Sequence, residues 1–190
     1  MVRIDKIVTK AGDGGKTRLA TGQPVSKASL RVEAYGAVDE ANSTIGVARL
    51  HTTADPVLDP ILDRAQNDLF DLGADLATPE SGETLSYEPL RILESQVHRL
   101  EGEIEALNEK LSPLTSFILP GGAPAAAQLH VARAVMRRAE RAIVALSEVE
   151  PVSAQAIKFA NRMSDLLFVA ARWANDHGRA DILWKPGANR

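Results

Sequence analysis

Residues 90–111 read Leu90-Arg91-Ile92-Leu93-Glu94-Ser95-Gln96-Val97-His98-Arg99-Leu100-Glu101-Gly102-Glu103-Ile104-Glu105-Ala106-Leu107-Asn108-Glu109-Lys110-Leu111. Leu90, Leu93, Val97, Leu100, Ile104, Leu107 and Leu111 alternate steps of three and four. On a helix that spacing draws one continuous apolar seam, the pattern of bundle packing. Ser112-Pro113 ends it.

The same reading extends outward in both directions. A fourth helix is expected from Pro124 to Leu146, and Pro151 separates it from a fifth over 152–176, stopped by Gly178. Upstream, Leu30 to Leu50 carries Val32, Tyr35, Val38, Ile45 and Val47 among good helix formers. Asp55-Pro56 supplies a cap and a first-turn proline for a second helix running to Leu76. Thr78-Pro79 and Ser81-Gly82 mark the loop before residue 90. Nothing between the helices alternates like strands, and the run Ala125-Ala126-Ala127 predicts a close helix–helix contact. The fold class is therefore all-α: a five-helix, mainly antiparallel bundle behind an irregular, glycine-rich N-terminal segment. A single domain is expected over 1–190, with a head (1–27), a bundle (28–178) and a C-terminal tail (179–190).

Composition narrows the function classes. A net charge of −3 argues against general nucleic-acid binding. The absence of cysteine excludes disulfides, thiolate metal sites and cysteine nucleophiles. No apolar run has the length of a membrane span, and none follows Met1-Val2-Arg3-Ile4-Asp5 as a secretory signal would require. A cytoplasmic protein without membrane or nucleic-acid partners is expected. Four scattered histidines make no dedicated transition-metal site, and Glu94 with His98 lacks the spacing and the second pair of a di-iron bundle.

The head, Thr9-Lys10-Ala11-Gly12-Asp13-Gly14-Gly15-Lys16-Thr17, followed by Arg18, Thr21-Gly22 and Lys27, suits an anion. Glycine admits close approach of backbone N–H groups, lysine adds charge and threonine a hydroxyl. It is not a P-loop: Lys10 stands where the first glycine belongs, and Gly22 and Pro24 prevent an immediate helix. A plain surface turn is the competing reading. On the fourth helix Arg133, Arg137 and Arg141 recur every four residues and share a face, with Arg138 and Glu140 beside them. Such a run is either a solvated face or a polyphosphate site, and the flanking Ala132, Ala134 and Ala139 permit close approach. Asp39 on the first helix is either a surface charge or a partner for one of these arginines. Asn161, amid Phe159, Met163, Leu166 and Leu167, either bonds a neighbouring helix or reaches a ligand. Phe117, just ahead of Pro120-Gly121-Gly122, either plugs the bundle end or walls a pocket.

Six segments in register resemble the PduO-type ATP:cob(I)alamin adenosyltransferases. They are Thr9 to Gly15, Val32 to Glu40, Leu72 to Thr78, Phe117 to Gly122, Arg137 to Arg141 and Asn161 to Asp165. The resemblance implies transfer of the 5′-deoxyadenosyl group of ATP to the cobalt of cob(I)alamin, with release of triphosphate. It implies a homotrimer with ATP and Mg2+ at the subunit boundaries. It assigns ATP to Thr9, Lys10, Ala11, Gly12, Thr17, Arg18 and Lys27, completed by Arg137, Arg138, Ala139, Glu140, Arg141 and Asn161. Glu140 and Asn161 fall near the magnesium. Asp39 is implied to pair with Arg133 across the subunit contact, and Phe117 to occupy the lower face of the corrin. A cobalamin reductase and an adenosylcobalamin-dependent enzyme are the implied partners. Because Co(I) is itself the nucleophile, no general base is needed, which suits a chain without an evident acid–base pair. Asp176-His177-Gly178 has the wrong spacing for a cobalt-ligating histidine motif. Ala11 stands where many members carry threonine, and Gln23-Pro24-Val25-Ser26 is less basic than in some relatives. A non-catalytic nucleotide-binding sensor or cobalamin carrier of the same fold is the alternative, and Phe117 together with the ATP set favours catalysis.

Overall fold

Five helices follow a short hairpin in the computed structural model, which describes residues 7–80 and 87–190. Ser81-Gly82 and Met1 to Asp5 therefore lie outside the described residues. Strands β1 (Lys16–Arg18) and β2 (Pro24–Ser26) pair antiparallel, Thr17 opposite Val25. The helices are α1 (Leu30–Arg49), α2 (Leu58–Leu76), α3 (Glu94–Asn108), α4 (Pro124–Ser147) and α5 (Ala154–Trp173). The hairpin is the one regular element that the sequence did not announce. Its three-residue strands are too short to display alternation, and the turn between them rests on Gly22 at φ +84°.

Helices α1, α2 and α5 start where a side chain captures free backbone N–H groups. Ser29 accepts from the N–H of Val32, Ser153 from that of Ala156, and Asp55 Oδ1 from those of Val57 and Leu58 at 2.9 and 2.8 Å. The third helix is shorter than its seam. Asp75 accepts the Ile92 N–H (2.9 Å) and pairs with Arg91 (2.7 Å), which holds residues 91–92 before the first turn at Glu94. Leu90 and Leu93 are accordingly exposed, and Ile92 enters the core in their place.

Polar links at the helix ends fix the directions. Arg31 near the start of α1 reaches the carbonyl of Leu76 at the end of α2 and Glu150 just past α4. Arg49 at the other end of α1 pairs with Asp59 near the start of α2. These pairs make α1 antiparallel to both α2 and α4. The start of α5 meets the end of α2 through Ser153 and Asp75, and its last residue, Trp173, donates to Asp55 ahead of α2 (2.9 Å). By contrast, α3 runs parallel to α5: Glu101 pairs with Arg162 midway, and Lys110 sits over the Trp173 ring at the far end. The core joins Ile45, Leu62, Leu69, Leu100, Met136, Ile143, Phe159 and Leu167 in one cluster. Ala125 and Ala126 are buried, as a close helix contact requires. No described helix is long and apolar enough to cross a membrane.

Beyond α5 the chain does not trail away. Arg172 and Asp181 form a buried ion pair at 2.8 Å, Asn175 bonds Asp181, and Arg172 also donates to the Ser112 carbonyl. Residues 182–184 then pair with the segment ahead of α4: Leu119 N–H to the Ile182 carbonyl and Trp184 N–H to the Phe117 carbonyl, each 2.8 Å. Gly122 (φ +96°) lies so close to Asn175 that a Cβ there would come within 2.4 Å of its Oδ1.

Candidate functional site

The head folds as a tight, cationic turn. Lys10 holds a left-handed backbone (φ +59°), uncommon for a residue other than glycine, and the Lys10 carbonyl accepts the Asp13 N–H. The Ala11 N–H reaches Thr9 Oγ1, and the Gly12 carbonyl accepts the Gly15 N–H. The hairpin returns Lys27 to this turn, where a Cβ at Gly12 would come within 2.8 Å of the Lys27 ammonium nitrogen. Thr17 lies in β1, and Arg18 donates to the Gly22 carbonyl (2.9 Å). Thr9, Lys10, Ala11 and Gly12 thus share one turn, with Lys27 beside it. The Ala20 N–H to Ala77 carbonyl bond (3.0 Å) moors the head to the end of α2.

A second group lies across α4 and α5. Arg137 and Arg141 are exposed, and Arg141 donates to the Arg137 carbonyl (3.1 Å). Asn161 donates to Glu140 at 2.9 Å, so the helix-bonding reading of this asparagine holds, and its Oδ1 accepts from Arg162 at 2.7 Å. Asp165, one turn further along α5, feels Arg162, Glu140 and Arg137, and loss of hydration raises its carboxyl above the usual range. Two expected members part company with this group. Arg138 turns to α1 and pairs with Glu40. Ala139 corrects the expectation of an ATP contact: it is fully buried in the core, and an inward methyl cannot touch a ligand on the outer face.

The third group is a cavity of about 550 Å³ lined by Leu114, Phe117, Ile118, His130, Arg133 and Phe168. Phe117 is 77% exposed, which overturns the reading of a plug and leaves that of a pocket wall. Its ring leans on Trp184 from the tail (centroids 6.0 Å, planes at 58°). Burial and the charge of Arg137 lower the proton affinity of Arg133. Local pattern did not single out His130, Phe168, Asp165 or Trp184 as site residues. The available signals were His130 one turn before Arg133, and the apolar run Ile182-Leu183-Trp184 after Gly178.

No hydrogen bond or ion pair joins the head to the α4–α5 group among the described residues. Asp39 is exposed beside a groove between α1 and α2, and neither Asp39 nor Arg133 forms an ion pair with another described residue. Among the described residues no cluster of three or more His, Cys, Asp or Glu could hold a metal by itself.

Comparison with known proteins bears on the whole chain. The family model for cobalamin adenosyltransferase matches residues 7–174. A corrinoid adenosyltransferase of Mycobacterium tuberculosis is 47% identical over 191 residues, covering 100% of this chain and 97% of that protein. One from Bacillus subtilis is 40% identical over 96% of this chain and 94% of its own length. A solved variant of the PduO-type ATP:corrinoid adenosyltransferase from Lactobacillus reuteri, complexed with cobalamin and ATP, superposes with a TM-score of 0.85. Its sequence identity is 41%, over 95% of this chain and 99% of that chain. With a family model matching residues 7–174 and a relative 47% identical over the full chain, the chain belongs to the cobalamin adenosyltransferase family.

Proposed function

We propose that this chain is an ATP:cob(I)alamin adenosyltransferase that joins the 5′ carbon of ATP to cobalt. The observation that carries the reading is the junction of an apolar cavity with a guanidinium face along one helix. Arg133 lines the cavity, and Arg137, one turn on, begins the cationic face. In the reaction the Co(I) electron pair attacks C5′, the cobalt–carbon bond forms, and the C5′–O bond breaks. Its electrons leave on triphosphate. Arg137, Arg141, Lys10 and Lys27 oppose the charge developing on that leaving group, and fixed donors do so without reorganising solvent. The backbone of Thr9 to Gly12 would cradle the phosphates, with Thr17 and Arg18 behind it. ATP itself would supply most oxygen ligands to Mg2+, a cation that is commonly held by one carboxylate plus substrate phosphates. Glu140, oriented by Asn161, is suited to be that carboxylate. Bound Mg2+ would neutralise charge on the triphosphate.

The separation of head from α4–α5 group within one chain supports a composite site. We infer a homotrimer in which the head of one copy covers the α4–α5 face of the next, with Asp39 pairing Arg133 across the boundary. A cytoplasmic setting, where ATP is supplied, is part of the same proposal. Co(I) has to be supplied by a reductase, and an adenosylcobalamin-dependent enzyme consumes the product.

Anaerobic incubation of chemically reduced cob(I)alamin with Mg·ATP tests the reading. Adenosylcobalamin formed one-for-one with triphosphate is the expected result. ATP binding without turnover would instead favour a sensor or carrier. Phe117→Ala is expected to leave ATP binding and folding intact, since the ring is largely exposed. Turnover should fall roughly 10–100-fold, the rate equivalent of about 1.5–3 kcal/mol of apolar contact at the lower corrin face. Wild-type turnover in a folded variant that binds ATP normally would refute that role.

A further inference from the structure

One line of side chains crosses three helices and ends at Glu140. On α3, Glu101 accepts from Arg162 Nε at 2.9 Å. On α5, Arg162 Nη1 donates to Asn161 Oδ1 at 2.7 Å, and Asn161 Nδ2 donates to Glu140 Oε1 on α4 at 2.9 Å. A carboxamide accepts on one branch and donates on the other, a guanidinium only donates, and a carboxylate only accepts. Between those two neighbours the Asn161 amide has one orientation that satisfies all three groups. Arg162 engages the oxygen and so holds the NH2 branch toward Glu140. Its two bonds run in different directions, which fixes the guanidinium plane. The ion pair itself contributes little to folding, since the Arg162 and Glu101 side chains are 36% and 44% exposed.

Resting on Glu140 being the carboxylate that meets the ATP-bound cation, we propose that Arg162, braced by Glu101, is a positioning residue for that site. Arg162 holds the Asn161 amide, the amide holds Glu140 Oε1, and Oε2 is left for the cation. Helix α3 supplies none of the proposed ATP contacts, yet through Glu101 it sets the aim of the carboxylate.

The test is ATP binding by calorimetry, once with Mg2+ and once with EDTA. The head and arginine contacts are common to both, so the difference reports the cation and its carboxylate. Wild type should bind ATP more tightly with Mg2+, and Glu140→Gln should erase that advantage. Arg162→Met should bind Mg·ATP about tenfold more weakly, the usual loss when a group that orients a metal ligand is removed. Its affinity for ATP in EDTA should change much less. Glu101→Gln should weaken Mg·ATP binding about two- to threefold, the size of one exposed ion pair. The double variant should match Arg162→Met alone, because Glu101 acts only through Arg162. Arg162→Lys, which restores a donor to the Asn161 oxygen, should recover part of the loss. Should Arg162→Met fail to fold, Glu101→Gln carries the same test from an exposed position. Wild-type Mg·ATP affinity in a folded Arg162→Met, or an equal loss in EDTA, overturns the positioning role and leaves Glu140 in place. Equal wild-type affinities in the two buffers, or an undiminished Mg2+ advantage in Glu140→Gln, overturn the reading of Glu140 and the positioning role with it.

Discussion

Arg137→Ala is expected to lower adenosyl transfer by about 10²–10³-fold, the usual loss when one preorganised donor to developing charge is removed. The protein should remain folded. Arg137 is exposed, its carbonyl rather than its guanidinium bonds Arg141, and its charge sits unfavourably beside Arg133. The fold therefore gains little from this side chain, and its removal should change stability by no more than about 0.5 kcal/mol. Anaerobic turnover of cob(I)alamin with Mg·ATP, measured beside thermal unfolding, separates the two effects. Near-normal turnover in a folded variant would remove Arg137 from the triphosphate site.

Asp181→Ala should be the most destabilising of the substitutions considered, by about 3–5 kcal/mol, because it leaves a buried guanidinium without its counter-ion. Both side chains of the Arg172–Asp181 pair are 4% exposed, and Arg172 keeps only the Ser112 carbonyl once Asp181 is gone. Replacing both partners by apolar residues should cost much less. Urea unfolding of the single and double variants measures the difference. The consequence should reach the cavity, since Asp181 anchors residues 182–184, which bond Leu119 and Phe117. Faster amide exchange at Leu119 and Trp184, under conditions where the bundle stays folded, is the expected signature. A single variant as stable as wild type would mean that water replaces the missing carboxylate.

The helical architecture was legible because spacing is a local property. The seam from Val97 to Leu111, the caps at Asp55 and the breaks at Pro113 and Pro151 act within a few residues of themselves. The glycine-rich turn of the head was legible for the same reason, whereas the return of Lys27 to Gly12 depends on a hairpin whose strands are too short to announce themselves. Local pattern failed where a distant group intervened. Asp75 captures Ile92 and postpones α3, so Leu90 and Leu93 leave the seam that their spacing promised. Glu40 draws Arg138 away from Arg137, although the two are adjacent in sequence.

What the sequence by itself determined, then, is the set of helices and the kinds of side chain that each carries. Tertiary structure decided which of those side chains meet. Only packing sets α3 parallel to α5, returns residues 182–184 to Phe117 and buries His130. The physical reason is one of range. Helix propensity, capping and amphipathic spacing are fixed within a turn or two, whereas a cavity is made by surfaces whose contact depends on the whole bundle closing at once.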